Sequence, residues 1–139
     1  MVRHLKTLKG LTLKEEKWSP LTEKFLARIN HECPISFYQD QILNDQATLF
    51  HVVDPQGETV AALILRLDMS PVGKELVIVA AGGECKGRLM TLDVLKTVEN
   101  LAKEIGCDSM RAHMRRSAVK AGFERAGFVL DEYVMKKAV

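Results

Sequence analysis

The stretch AAGGECKGRLMTLDVL, Ala80 to Leu95, ends an apolar run in glycines and charges and then opens a helical period. Immediately before it, ELVIVAA (Glu75 to Ala81) is a short β-branched run of the kind that forms a buried strand. After it, Leu92, Leu95, Val98, Leu101, Ala102 and Ile105 share one helical face, while Asp93, Lys96, Glu99, Asn100, Lys103 and Glu104 lie mostly on the other. Gly106 ends that helix as a C′ residue. The junction reads in two ways: as a glycine-rich loop that cradles a phosphate at a helix start, or as a plain joint in front of a capped helix.

Working outward, CDSMRAHM alternates as a strand over Asp108 to Met114, SAVKAGFERAGF returns to helical spacing, and VLDEYVMKKAV closes as a strand with a basic end. On the other side, ATLFHVVDPQGETVAALILRLD holds two β-branched runs around Asp54-Pro55-Gln56-Gly57, which predicts a hairpin. A second turn, Met69 to Lys74, adds a third strand to the meander. Ser19 as N-cap and Pro20 at the first helical position, with Leu21, Phe25 and Ile29 following, predict a helix to about Asn30. Pro34 breaks that helix. Ser36 then caps a second, short one, with Gln39 completing a capping box and Tyr38 and Ile42 turned to the core. Leu11 and Leu13 alternate as a short edge strand ahead of both. The order is (β)ααβββαβαβ in a single domain, 1–139, with no internal repeat or linker.

Composition excludes more than it assigns. At 47% hydrophobic and 27% charged residues, the 139-residue chain is an ordinary globular domain, neither disordered nor a disulfide scaffold. Cys33, Cys85 and Cys107 are odd in number and lack CxxC spacing, so reduced thiols are expected, with no zinc or other metal site. The runs Val60 to Leu65 and Leu76 to Ala81 are too short to cross a bilayer, and the N-terminus lacks a signal-peptide core, so a cytoplasmic protein without a membrane partner is expected. A net charge of +2 makes nucleic acid an unfavoured partner, and the basic group Arg111, Arg115, Arg116 and Lys120 has no interleaved aromatics for base stacking.

From about Thr48 onward, the element order and two strings resemble the GNAT superfamily of N-acetyltransferases. LAKEIGCDSMRAHM is similar to that family's third helix running into its fifth strand, and FERAGFVLDEYVMKK, Phe123 to Lys137, to its C-terminal segment. The resemblance implies an α/β fold of the α+β kind: a mixed central sheet with helices on both faces, whose fourth and fifth strands are parallel and splay apart. It implies acetyl-CoA or another acyl-CoA as cofactor, a small-molecule or protein amine as substrate, and is compatible with a homodimer. Backbone groups near Val79 and Ala81 would pair with the pantetheine amides. In the family's phosphate loop, Lys86 falls on the Arg/Gln position, Leu89 on the first Gly and Thr91 on the second small position, with Gly87 and Arg88 between.

The two small positions of that loop are not kept. Leu89 has a side chain where the family has none, Thr91 is placed to cap the helix, and Asp93 puts a negative charge in its first turn. Against this, Lys86 and Arg88 are basic, and Gly82, Gly83 and Gly87 offer a nest a few residues earlier. Acyl transfer also needs a base for the amine and an acid for the departing thiolate. The family's acid is a Tyr on its fourth helix, and here Phe123 holds that position. Tyr133 is the remaining candidate acid, and Glu75, with Asp68, the candidate base, each weighed against an ordinary packing or surface role. His113 and Cys85 are read as incidental. Two classes of function follow: an acyl-CoA-dependent N-acyltransferase of unassigned substrate, or a catalytically inactive binding or assembly protein on the same fold.

Overall fold

A computed structural model describes residues 3–27, 34–83, 88–113, 117–131, 135 and 137–138, with the side chains of 88–91 and 117–119 outside the description. Its elements are β1 (His4–Lys6), β2 (Thr12–Glu15), α1 (Pro20–Leu26), α2 (Ile35–Leu43), β3 (Thr48–Val53), β4 (Thr59–Ser70), β5 (Gly73–Gly83), α3 (Arg88–Glu104), β6 (Ser109–Ala112) and α4 (Ser117–Arg125). The strands form one sheet in sequential order, antiparallel throughout except for the parallel pair β5 and β6. The mixed α/β architecture is the one expected. Among the described residues no helix is long and apolar enough to cross a membrane.

Two cores sandwich the sheet. On one face Leu63 and Leu65 of β4 and Leu76 and Ile78 of β5 pack under Leu95, Val98, Leu101 and Ala102 of α3 and Phe123 of α4. On the other, Ala62 and Ile64 of β4 and Ala80 of β5 pack against Phe25 and Leu26 of α1 and Tyr38 of α2. Successive β4 residues thus serve opposite cores, as the two-residue period of a strand dictates.

The turns follow residue chemistry. Asp54 Oδ1 accepts the N–H groups of Gln56 (3.0 Å) and Glu58 (2.9 Å), and Gly57 takes a positive φ of 86°, which closes the β3–β4 hairpin as expected. Both α3 and α4 end in Schellman motifs. Cys107 N–H donates to Ala102 O (2.8 Å) around Gly106, and Phe128 N–H donates to Phe123 O (3.1 Å) around Gly127. The second motif brings the Phe128 ring edge-on to Phe123 at 5.0 Å.

Several local expectations need correction. β1 was invisible because three residues, His-Leu-Lys, carry no period at a sheet edge. α2 starts at Ile35 with Pro34 as N-cap and no side-chain cap, so Ser36 lies inside the first turn and forms no capping box. α1 extends to Leu26 with Ala27 as C-cap; its expected extension to Asn30 lies outside the described residues. β6 ends at Ala112, short of Met114. In the C-terminal segment, the described Val129, Leu130, Asp131, Met135, Lys137 and Ala138 are not in strand.

Polar groups anchor α1 to the sheet. Ser19 and Thr22 form a reciprocal capping box, and the Thr22 hydroxyl shares a 2.8 Å hydrogen bond with Nε2 of buried His51 on β3. Burial holds the His51 pKa below 6.5; Glu16 opposes and Lys14 adds to that shift. A lowered folded pKa means that the unfolded chain binds the proton more readily, so His51 withdraws stability as pH falls below about 6.5. Urea midpoints should therefore fall from about pH 8 to about pH 5, and His51→Gln should flatten that part of the profile. Thr22→Val, which leaves the imidazole without its partner, should cost about 1–3 kcal/mol at neutral pH.

Candidate functional site

β5 and β6 pair over four positions, from Glu75↔Ser109 to Ile78↔Ala112. β5 then continues to Gly83, five residues past the last pair, so among the described residues its main-chain groups on that side have no strand to pair with. The antiparallel register with β4 breaks at the same place: Leu65 faces Ile78 but Ile64 faces Ala80, leaving Val79 as an extra residue in a bulge. Val79 is half-buried beside the α1 core and Ala81 is exposed, so both expected pantetheine contacts lie where the strands part. Among the described residues, the parallel strands separate in the way the resemblance implied.

The end of β5 approaches β4 closely. A Cβ at Gly83 would collide with Val60 O and Ala61 Cα, and its φ of 156° is one that side chains rarely adopt. Residues 84–87, including Cys85, Lys86 and Gly87, lie outside the description, and α3 opens at Arg88. This start is earlier than the period from Leu92 suggested. Thr91 is therefore the fourth residue of the helix rather than its cap, and Arg88 and Leu89 are its first two. Asp93 is also reassigned. It is buried, and both its oxygens lie 3.2 Å from Lys9 N–H, so its carboxylate serves the β1–β2 turn.

Glu75 lies on the α1 side of the sheet, below the point of separation, within a ladder of charges. Arg66 Nε donates to Asp68 Oδ1 at 2.7 Å and its Nη2 to Asp68 Oδ2 at 3.2 Å. Arg111 Nη2 on β6 donates to Asp68 Oδ2 at 2.8 Å. Arg111 Nε sits 3.0 Å from Glu75 Oε1 as an ion pair, off the axis of a hydrogen bond. Ser109 Oγ donates to Glu75 Oε2 at 2.9 Å. The hydrogen bond from Arg66 is the main reason that the Asp68 carboxyl titrates below its ordinary range, with the charges of Arg66 and Arg111 adding to it. Asp68, Glu75 and Arg111 line an open depression of about 370 Å³ with Leu67, Met69 and Ser70.

The structure thus gathers Glu75, Asp68 and Arg111, and places Val79 and Ala81 farther along the same strand. Tyr133 lies outside the described residues. Phe123 is a core residue, fixed by the Schellman turn and its ring contact with Phe128. Arg111 faces the carboxylates of Asp68 and Glu75; Lys120 is exposed, and Arg115 and Arg116 lie outside the description. Sequence reasoning missed the Arg66–Asp68 pair, although alternate residues on a strand share a face and would have shown it.

No protein-family model and no curated protein matches this sequence. Solved structures do match in fold. An aminoglycoside antibiotic 6′-N-acetyltransferase from Acinetobacter baumannii aligns with a TM-score of 0.68 at 14% identity, over 94% of this chain and 99% of that one. The fold is that of the GNAT N-acetyltransferases. A Trypanosoma brucei acetyltransferase gives 0.66 at 14% identity, over 94% and 100% of the two chains. Glucosamine-6-phosphate N-acetyltransferase from Arabidopsis thaliana gives 0.62 at 14% identity, over 91% and 97%. This GNAT-fold chain therefore matches those acetyltransferases along nearly their whole length.

The close approach at Gly83 yields a direct test of the strand geometry at this end. Gly83→Ala should destabilise the protein by about 1–3 kcal/mol, because the β4 backbone cannot give way as a side-chain tip could. The urea midpoint should drop while the slope of the transition stays constant.

Proposed function

We propose that the protein is an acyl-CoA-dependent N-acyltransferase that transfers an acyl group to an amine. The observation that carries this reading is the parting of β5 from β6 after Ile78 and Ala112, with a bulge at Val79, in a chain of the GNAT fold. The residues present fit an extended amide-bearing ligand. Past Ile78 the β5 edge has main-chain groups to offer, and Ala81, Gly82 and Gly83 put almost no side-chain bulk beside it. A bound acyl-CoA would supply an activated thioester.

In this reading the backbone at Val79 and Ala81 receives the pantetheine amides. Lys86, Gly87 and Arg88, with the main chain of Leu89 and Thr91, receive the pyrophosphate at the start of α3, where a helix N-terminus presents free N–H groups and about half a positive charge. The objection from Asp93 is weakened by its place, since with α3 starting at Arg88 it is the sixth residue of the helix and lies beyond the first turn. Glu75 takes the proton of the acceptor amine, and Tyr133 returns one to the departing thiolate. The acceptor is a small-molecule or protein amine.

A second reading, a GNAT-fold binding or assembly module without catalysis, draws on two observations. Phe123 is committed to the core, and both Glu75 oxygens already have partners. The two readings separate in one experiment. A ligand that binds only the native state stabilises it by RT ln(1 + [L]/Kd), about 2.7 kcal/mol at a hundredfold excess. Millimolar acetyl-CoA should raise the melting temperature clearly, and a panel of amines should show acetyl transfer. A shift without turnover on any amine leaves the binding module; no shift and no turnover removes the enzyme. In an active protein, Glu75→Gln should lower kcat by about a hundred- to ten-thousandfold while acetyl-CoA still shifts the melting temperature.

A further inference from the structure

β6 is only four residues long and holds β5 through four parallel positions, a weak attachment in itself. On its α3 side it adds Met110 and Ala112 at the rim of the larger core. On the other side Ser109 and Arg111 tie it down. Ser109 reaches Glu75 on β5, and Arg111 reaches past β5 to Asp68 on β4. Arg111 therefore links three strands. Its register partner is Val77, one position before Ile78↔Ala112, the last pair before the strands part. Asp68 is itself fixed by two bonds from Arg66, so Arg111 pulls against a rigid anchor.

We propose that Arg111 is a positioning residue that fixes where β5 and β6 separate, and so sets the gap in which the pantetheine arm of an acyl-CoA lies. The proposal rests on the acyl-CoA reading above. A guanidinium suits the task because its planar fork touches Asp68 and Glu75 together, which an ammonium cannot do as well. Without it Asp68 and Glu75, register partners on adjacent strands, face each other as like charges, and β6 loses its one tie to β4 while keeping its short backbone pairing, the Ser109 bond and the rim contacts of Met110 and Ala112. The Arg111 and Asp68 side chains are 36% and 34% exposed, so their ion pair is screened and adds little to global stability. Its effect falls on local geometry.

The test measures the dissociation constants of acetyl-CoA and of the nucleotide half of CoA for the wild type and four variants, with denaturation midpoints alongside. Arg111→Met should weaken acetyl-CoA at least about tenfold, as misplacement near a site does, while the nucleotide half and the midpoint stay at wild-type values. Arg111→Lys should recover part of the loss. Asp68→Asn, which removes the anchor charge with little change of shape, should lose as much as Arg111→Met and serves in its place should that variant fail to fold. Arg66→Met, which loosens the Asp68 anchor but leaves the tether from Arg111 in place, should lose clearly less than Arg111→Met. Unchanged acetyl-CoA affinity in both Arg111→Met and Asp68→Asn, or an equal loss in Arg66→Met, overturns the role. A wild type that binds no acetyl-CoA is a different result: it overturns the functional reading and this role with it.

Discussion

The antiparallel pairing of β4 with β5, from Ala61↔Gly83 to Ser70↔Gly73, is the constraint on which the rest of the molecule depends. β4 feeds both cores, Leu63 and Leu65 to the α3 side and Ala62 and Ile64 to the α1 side, so a slip of one residue would exchange the two sets. β5 makes such a slip once, on purpose of geometry, at Val79. Below the bulge the even-numbered Leu76 and Ile78 serve the α3 core; above it the even-numbered Ala80 serves the α1 core. The extra residue reverses the facing of the upper strand at the level where β6 departs. One local irregularity thus re-aims Ala81 at the level where β6 ends.

This explains what could be read in the sequence and what could not. Strand and helix boundaries around Asp54 to Gly57 and Gly106 were legible because specific side-chain and glycine chemistry enforces them. The bulge was not, since VIVAAGG is uniformly apolar and small and carries no phase to be broken. The start of α3 was misplaced for a related reason. The amphipathic period is legible from Leu92, whereas the backbone is already helical from Arg88. Asp93 was misjudged because a contact with Lys9, far away in sequence, cannot be inferred from helical position.

The family-like strings also gain a physical meaning. EIGC and RAGF are the two Schellman endings, and in the second the first and last aromatics of FERAGF meet edge to face. Those strings specify helix termination and packing. They say nothing about the transfer of an acyl group. Fold was therefore more legible than chemistry, and Phe123 marks the divide: a position read for a proton donor is occupied by the residue that fastens α4 to its exit turn.

Glu75 is where architecture and chemistry meet. It precedes Val79 by four residues, about 13 Å along an extended strand, so its carboxylate does not lie beside the point where β5 and β6 part. An acceptor would have to lie along the α1 side of the sheet, over Val77, with its amine reaching toward the gap, or a water would have to carry the proton. Water relay is compatible with the bonds already present. Each carboxylate oxygen has two lone pairs; Ser109 engages one on Oε2, and Arg111 lies beside Oε1 as an ion pair without a hydrogen bond. The contacts that hold Glu75 still therefore leave acceptor capacity on both oxygens, and a base acting through one water gains from being held still. The ladder that fastens β6 and the carboxylate that would serve the acceptor are the same set of atoms, which ties the opening of the sheet to the orientation of the base.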